Sequence, residues 1–123
     1  MASPDLITLT DPRSNAAEAF RTLRTNLMFT SVEKPIQTLL VTSTSSADEK
    51  SIALANLAVT FAQSGNKTIL VDTDLRQPSQ HDIWGVSNQA GLTQMMLEAF
   101  SRCLGAIRLI SATRIPSTAR WMV

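Results

Sequence analysis

Two short apolar runs with one long apolar helix between them constrain this chain more than any other feature. Thr38-Leu39-Leu40-Val41-Thr42 carries no polar alternation, which predicts a strand buried on both faces, as in a parallel sheet. A Ser/Thr-rich loop follows from Ser43 to Ala47. A helix is predicted from about Lys50 to Ser64. Ile52, Leu54, Ala55, Leu57, Ala58, Val59, Phe61 and Ala62 make it apolar almost all round, so it should be deeply packed. Gly65 stands just past its end, where a left-handed backbone costs glycine nothing. Thr68-Ile69-Leu70-Val71 predicts a second buried strand. Strand, loop, helix and strand in this order form a βαβ unit, with a right-handed crossover expected.

Before this unit, residues 1–13 are expected to form an extended arm ending at Asp11-Pro12, because Pro12 biases Asp11 away from helix. A helix should begin near Asn15 or Ala16, with Asn15 as N-cap and Glu18 three residues on. Phe20, Leu23 and Leu27 recur at helical spacing as one apolar stripe. Pro35 lies beyond the helix end. After the second strand, Gly91 to Leu97 reads as a short helix opening, with Met95 and Met96 in the core. Residues 98–123 lose the pattern. They carry Arg102, Arg108, Arg114 and Arg120 and one apolar stretch, and are not assigned to the same fold.

At 123 residues the chain holds one small domain. A hydrophobic share of 44% argues against disorder. A net charge of +1 gives no bulk attraction to nucleic acid or an anionic membrane, so no nucleic-acid partner is expected. Cys103 is the one cysteine, which excludes an internal disulfide and fits a reducing compartment. No apolar run approaches the roughly 20 residues of a membrane-spanning helix, and Met1 to Thr10 has no secretory-signal pattern. The expected location is the cytoplasm, with a peripheral position at the inner face of the plasma membrane also open.

Two positions could carry chemistry. In a phosphate-binding loop, backbone N–H groups wrap the phosphates, a Lys reaches the terminal phosphates and a Ser or Thr binds Mg²⁺. Lys50-Ser51 stand at a helix start directly after a strand and a loop of suitable length. The glycines of that pattern are absent, and Glu49 precedes the lysine. A Lys-Ser pair at a helix start also occurs with no ligand at all. The second position is Asp72-Thr73-Asp74-Leu75-Arg76, at the carboxyl end of the second strand, where open α/β sheets bind ligands. Two carboxylates there can hold Mg²⁺ through water or accept a proton. A solvated loop with one capping Asp and an Arg partner is the alternative. His81 reads as a hydrogen-bonding turn residue and Trp84 as packing below the loop.

Taken in succession, these segments resemble the ATP-binding domain of bacterial tyrosine kinases that control exopolysaccharide synthesis. Glu18-Ala19-Phe20-Arg21-Thr22-Leu23-Arg24 resembles the E-x-x-R-x-x-R helix through which that family self-associates. Leu39 to Ser43 resembles the strand before its Walker A loop, and Lys50-Ser51 fall at the Walker A Lys and Ser/Thr. Leu70 to Arg76 matches its Walker A′ motif, and Pro78, His81 and Gly91-Leu92 also fall in pattern. The resemblance runs from about Asp11 to Leu97, so that 14–97 corresponds to the first half of such a domain.

The resemblance implies an α/β, P-loop NTPase-like three-layer fold with an incomplete parallel sheet, preceded by an N-terminal helix. It implies Mg-ATP as cofactor, with Ser45, Ser46, Ala47, Asp48, Glu49, Lys50, Ser51 and Ile52 around the nucleotide. Lys50, Asp72 and Asp74 would be catalytic, Ser51, Asp72 and Asp74 would hold the metal, and Glu18, Arg21 and Arg24 would contact other subunits. The implied partners are further copies of the chain, a membrane protein of the polysaccharide chain-length-determinant type, and tyrosine-bearing substrates in trans. The implied role is regulation of capsular or extracellular polysaccharide assembly and export.

The chain departs from the family pattern at three points. Its loop lacks glycine, no aspartate follows Asp82 to supply a Walker B carboxylate, and it contains no tyrosine. Little or no tyrosine kinase activity is therefore expected. A frameshifted or truncated gene product would explain the tail. Two rival functions stay open: a non-catalytic pseudokinase remnant that acts by self-association with the membrane partner, and a partitioning ATPase of the ParA/MinD type. The latter shares Asp-x-Asp, but the Glu18–Arg24 helix and the Asp74–His81 run argue against it.

Overall fold

The computed structural model describes residues 6–30, 35–44, 49–91 and 119–122. Helix α1 spans Ile7–Thr10, α2 spans Asn15–Thr30, and strand β1 spans Thr38–Leu39. Helix α3 spans Lys50–Gln63, β2 spans Lys67–Leu70, α4 spans Gln80–Trp84 and β3 spans Ala119–Met122. The three strands form one parallel sheet in the order β1-β3-β2.

The expected βαβ unit is present, but another strand stands between its two strands. Met122 lies opposite both Leu39 and Leu70. Residues 119–122, part of the tail that the sequence leaves unassigned, thus provide the middle strand. Nothing in the tail's pattern signals this, because a four-residue strand is too short for periodicity to register. β1 is also shorter than the predicted 38–42, since its ladder to β3 pairs only Thr38 and Leu39.

Helix α3 organises the rest. Leu54, Leu57, Ala58 and Phe61 are buried together, with Phe20, Leu27, Leu39, Val41 and Leu70 packed against them. This joins α2, α3 and one face of the sheet. Helices α1, α2 and α4 all gather on α3. Leu40, whose side chain alternates with Leu39 and Val41, is 68% exposed. The expectation of a first strand buried on both faces is corrected at this residue.

At the N-terminus, Ser14 rather than Asn15 caps α2: the Ala17 N–H donates to Ser14 Oγ at 3.2 Å. The expected capping box does not form, because Glu18 pairs with Arg21 instead. The inward positions of α2 are Ala17, Phe20, Arg24 and Leu27, spaced three, four and three apart. Leu23, expected on the stripe, is 45% exposed. Arg24 occupies the central inward place, donating from Nη1 to the Thr60 carbonyl at 2.9 Å.

The extended arm is corrected as well, since Ile7–Thr10 forms a helical turn. Leu6 is buried with Ala55 and Ile83, and Leu9, Ile52 and Trp84 pack around them. The turn is fixed by buried polar groups: Thr8 donates to Asn56 Oδ1 from its backbone N (3.0 Å) and from Oγ1 (2.9 Å). Asn56 Nδ2 in turn donates to the Ile52 carbonyl at 2.9 Å. Buried donors and acceptors paired in this way avoid the desolvation penalty of an unmade bond, about 1–3 kcal/mol each. Gly65 ends α3 with φ +85°, as its position predicts.

Candidate functional site

The site forms where α3 begins and β2 ends. β2 delivers Asp72 and Asp74 to its carboxyl edge, and the first residue of α3 is Lys50. The Lys50 Nζ donates to Asp74 Oδ2 at 2.6 Å, with a third of the lysine side chain and a quarter of the aspartate exposed. Asp74 Oδ1 accepts from the backbone N–H groups of Arg76 (3.2 Å) and Gln77 (3.0 Å). The Lys50 hydrogen bond above all, then the Gln77 N–H, the Lys50 charge and the Arg76 N–H hold the Asp74 carboxyl below its ordinary value of 3.8, against a smaller opposing effect of desolvation.

The sign of the resulting pH dependence follows. A depressed carboxyl contributes stability that is fully present above about pH 3.8 and is lost as pH falls through its lowered folded value. The stability gap between wild type and Asp74→Asn should therefore narrow as pH drops from neutral towards about 3. Urea midpoints measured across that range check this; a gap constant with pH would count against it.

Asp72 is used differently. Its Oδ1 accepts from the Asp74 N–H at 3.0 Å, and its Oδ2 accepts from the Ser79 and Gln80 N–H groups, both at 3.0 Å. The carboxylate thus shapes the turn that carries Asp74 and satisfies donors at the start of α4, which would otherwise be orphaned. Gln80 extends the connection. Its Nε2 donates to the Ser51 carbonyl at 2.8 Å, and its Oε1 accepts from Trp84 Nε1 at 3.1 Å. Sequence reasoning missed Gln80, because a glutamine outside any motif gives no signal until its burial is seen.

Other predicted site residues fall as follows. Ser45, Ser46, Ala47 and Asp48 lie outside the described residues. Glu49 is the N-cap of α3 with φ −77°, an ordinary backbone conformation, and makes no side-chain cap bond. Ile52 packs its side chain in the cluster around Leu6, Ala55 and Ile83. Trp84 joins the same cluster, as its expected packing role requires. His81 lies in α4 with Nε2 3.3 Å from Asp82 Oδ1. Gly91 is described, whereas 92–97, Met95, Met96 and Cys103 are not. Among the described residues no three His, Cys, Asp or Glu side chains cluster to hold a metal. Mg²⁺ commonly takes one or two protein ligands and fills its shell with water and substrate phosphate, so Ser51 and Asp74 fit it in donor type.

The predicted subunit-contact row is engaged within the chain. Glu18 Oε2 accepts from Arg21 Nη1 at 2.9 Å, and Arg21 Nη2 donates to the Pro12 carbonyl at 2.6 Å. Arg24 is turned onto α3 as described above. Among the described residues no helix is long and apolar enough to cross a membrane.

No family model matches the chain. Individual proteins do. The Staphylococcus aureus protein CapB, whose name assigns it provisionally to the tyrosine-protein kinases, is 46% identical over 86 residues, 70% of this chain and 38% of CapB. The tyrosine-protein kinase YwqD of Bacillus subtilis is 41% identical over 97 residues, 79% of this chain and 41% of YwqD. The crystal structure of the chimerical protein CapA2B2 superposes with a TM-score of 0.74 at 37% identity, covering 82% of this chain and 45% of that one. Over the matched segment the chain belongs to the bacterial tyrosine kinase family. It spans about two fifths of the length of these two curated relatives.

Proposed function

We propose that this chain is the nucleotide-binding element of a bacterial tyrosine kinase acting in capsular or extracellular polysaccharide export, and that it binds Mg-ATP weakly without efficient phosphoryl transfer. The observation that carries this reading is the 2.6 Å contact between Lys50 and Asp74 at the carboxyl edge of a parallel sheet. An ammonium and a carboxylate there match what a Mg-nucleotide requires: a cation for phosphate oxygens and an oxygen ligand for the metal. Lys50 would hold the terminal phosphates, and Ser51 and Asp74 would hold Mg²⁺. When bound, Mg²⁺ neutralises charge on the transferring phosphate. Asp72 would keep Asp74 in place, and its position in the motif also leaves it a metal or proton-accepting role.

Weak transfer follows from what the chain lacks. A glycine-free loop wraps phosphates poorly, because residues with a Cβ resist positive φ. Glu49 adds a like charge beside the nucleotide, costing on the order of 4 kcal/mol at about 4 Å and a surface-type dielectric before any neutralisation.

Self-association through Glu18, Arg21 and Arg24, and docking to a chain-length-determinant membrane partner, belong to the same proposal. Arg24 would have to exchange its bond to Thr60 for one across the interface. A pseudokinase that works by these contacts alone is the second reading, favoured by the glycine-free loop before Lys50.

Phosphoryl transfer tests the claim of weak catalysis, and the melting temperature in Mg-ATP separates the two readings. Labelled phosphate from Mg-ATP should reach a tyrosine-bearing partner fragment no faster with wild type than with Lys50→Met. Excess Mg-ATP should nevertheless raise the melting temperature of wild type, since a ligand bound only by the folded state stabilises it. Transfer well above the control would overturn the claim of weak catalysis. An unmoved melting temperature would favour the pseudokinase.

A further inference from the structure

We infer that Gln80 is a positioning residue that ties the Asp72–Asp74 loop to the first turn of α3 and so keeps Lys50 and Ser51 in register with the carboxylates. Gln80 is 6% exposed, and its backbone N–H and both polar atoms of its side chain each make a hydrogen bond. Its backbone N–H reaches Asp72 Oδ2 (3.0 Å), its Nε2 reaches the Ser51 carbonyl (2.8 Å), and its Oε1 receives the Trp84 indole N–H (3.1 Å). The backbone of this one residue thus meets the loop after β2, and its side chain ties the far end of α4 to the start of α3. Among the described residues Asp72 and Lys50 are also linked through Asp74, by the Asp74 N–H on Asp72 and the Asp74 carboxylate on Lys50. Gln80 adds a second, independent tie, and two ties fix an angle that one leaves free. A glutamine buried merely to fill space would not need both side-chain bonds, since an apolar side chain fills space without a polar group to satisfy.

Amide hydrogen exchange tests this without nucleotide. In Gln80→Leu the amides of Asp74, Ser79 and residue 80 should exchange roughly tenfold faster or more, because the side-chain bond that anchors this segment to the Ser51 carbonyl is gone. Amides of Leu57 to Phe61, inside α3, should keep their wild-type rates. Gln80→Glu keeps the acceptor for Trp84 but loses the donor to Ser51, so it should loosen the same three amides; it also serves if the leucine variant does not fold. Loop amides that keep their rates, or that speed up only in parallel with α3, would overturn the inference.

A second arm rests on the proposed nucleotide site. Calorimetry should show Mg-ATP binding about tenfold weaker in Gln80→Leu than in wild type. Equal affinities would overturn the positioning role. If wild type binds no Mg-ATP, the nucleotide reading itself fails, and the exchange measurement alone decides the role of Gln80.

Discussion

Phe61→Ala is expected to remove roughly 3–5 kcal/mol of stability, the usual cost of deleting a large aromatic from a packed core. Phe61 is 4% exposed and sits where α2, α3 and the sheet meet, in the cluster with Leu54, Leu57 and Ala58. Phe20 and Leu27 of α2, Leu39 of β1, Val41 just after it and Leu70 of β2 approach the same cluster, so the vacated space cannot be closed by shifting one neighbour. Domains of this kind hold about 5–15 kcal/mol in all, so the loss takes a large share. The urea midpoint should fall steeply with the slope unchanged. Leu40→Ala, at a side chain 68% exposed, should shift it by no more than about 0.5 kcal/mol. Equal midpoints for the two variants would show that the cluster is not the core.

The parts of this fold that the sequence displays are those written in long patterns. The apolar run of α3 predicts its span to within a residue, and Gly65 marks its end. The two carboxylates after β2 and the lysine opening α3 predict their own neighbourhood, because parallel strand ends in one βαβ unit converge. What stayed hidden depends on contacts between distant segments. The α2 stripe departs from the sequence pattern at Leu23 because Arg24, a charged residue, takes the inward place through one bond to the Thr60 carbonyl. The turn at Ile7–Thr10 has no periodicity of its own and is held by Asn56, 48 residues away. Gln80 and β3 are likewise visible only once the chain is folded.

Lys50→Met should lower Mg-ATP affinity by about 10- to 100-fold, since hydrogen bonds to a charged group contribute roughly 1.5–3 kcal/mol. In the free protein the ammonium is already shared with Asp74 at 2.6 Å, so part of its interaction with phosphate is spent in displacing that pair. The loss should therefore lie nearer the lower bound. Methionine keeps the length and apolar stem of lysine and leaves the rest of the first turn intact, which separates the charge from the packing. Isothermal calorimetry of wild type and Lys50→Met with Mg-ATP is the most direct test of the nucleotide-binding assignment. Saturable heat from wild type, with affinity at least tenfold weaker in the variant, is the result expected; no heat from wild type, or equal affinity in both, would contradict it.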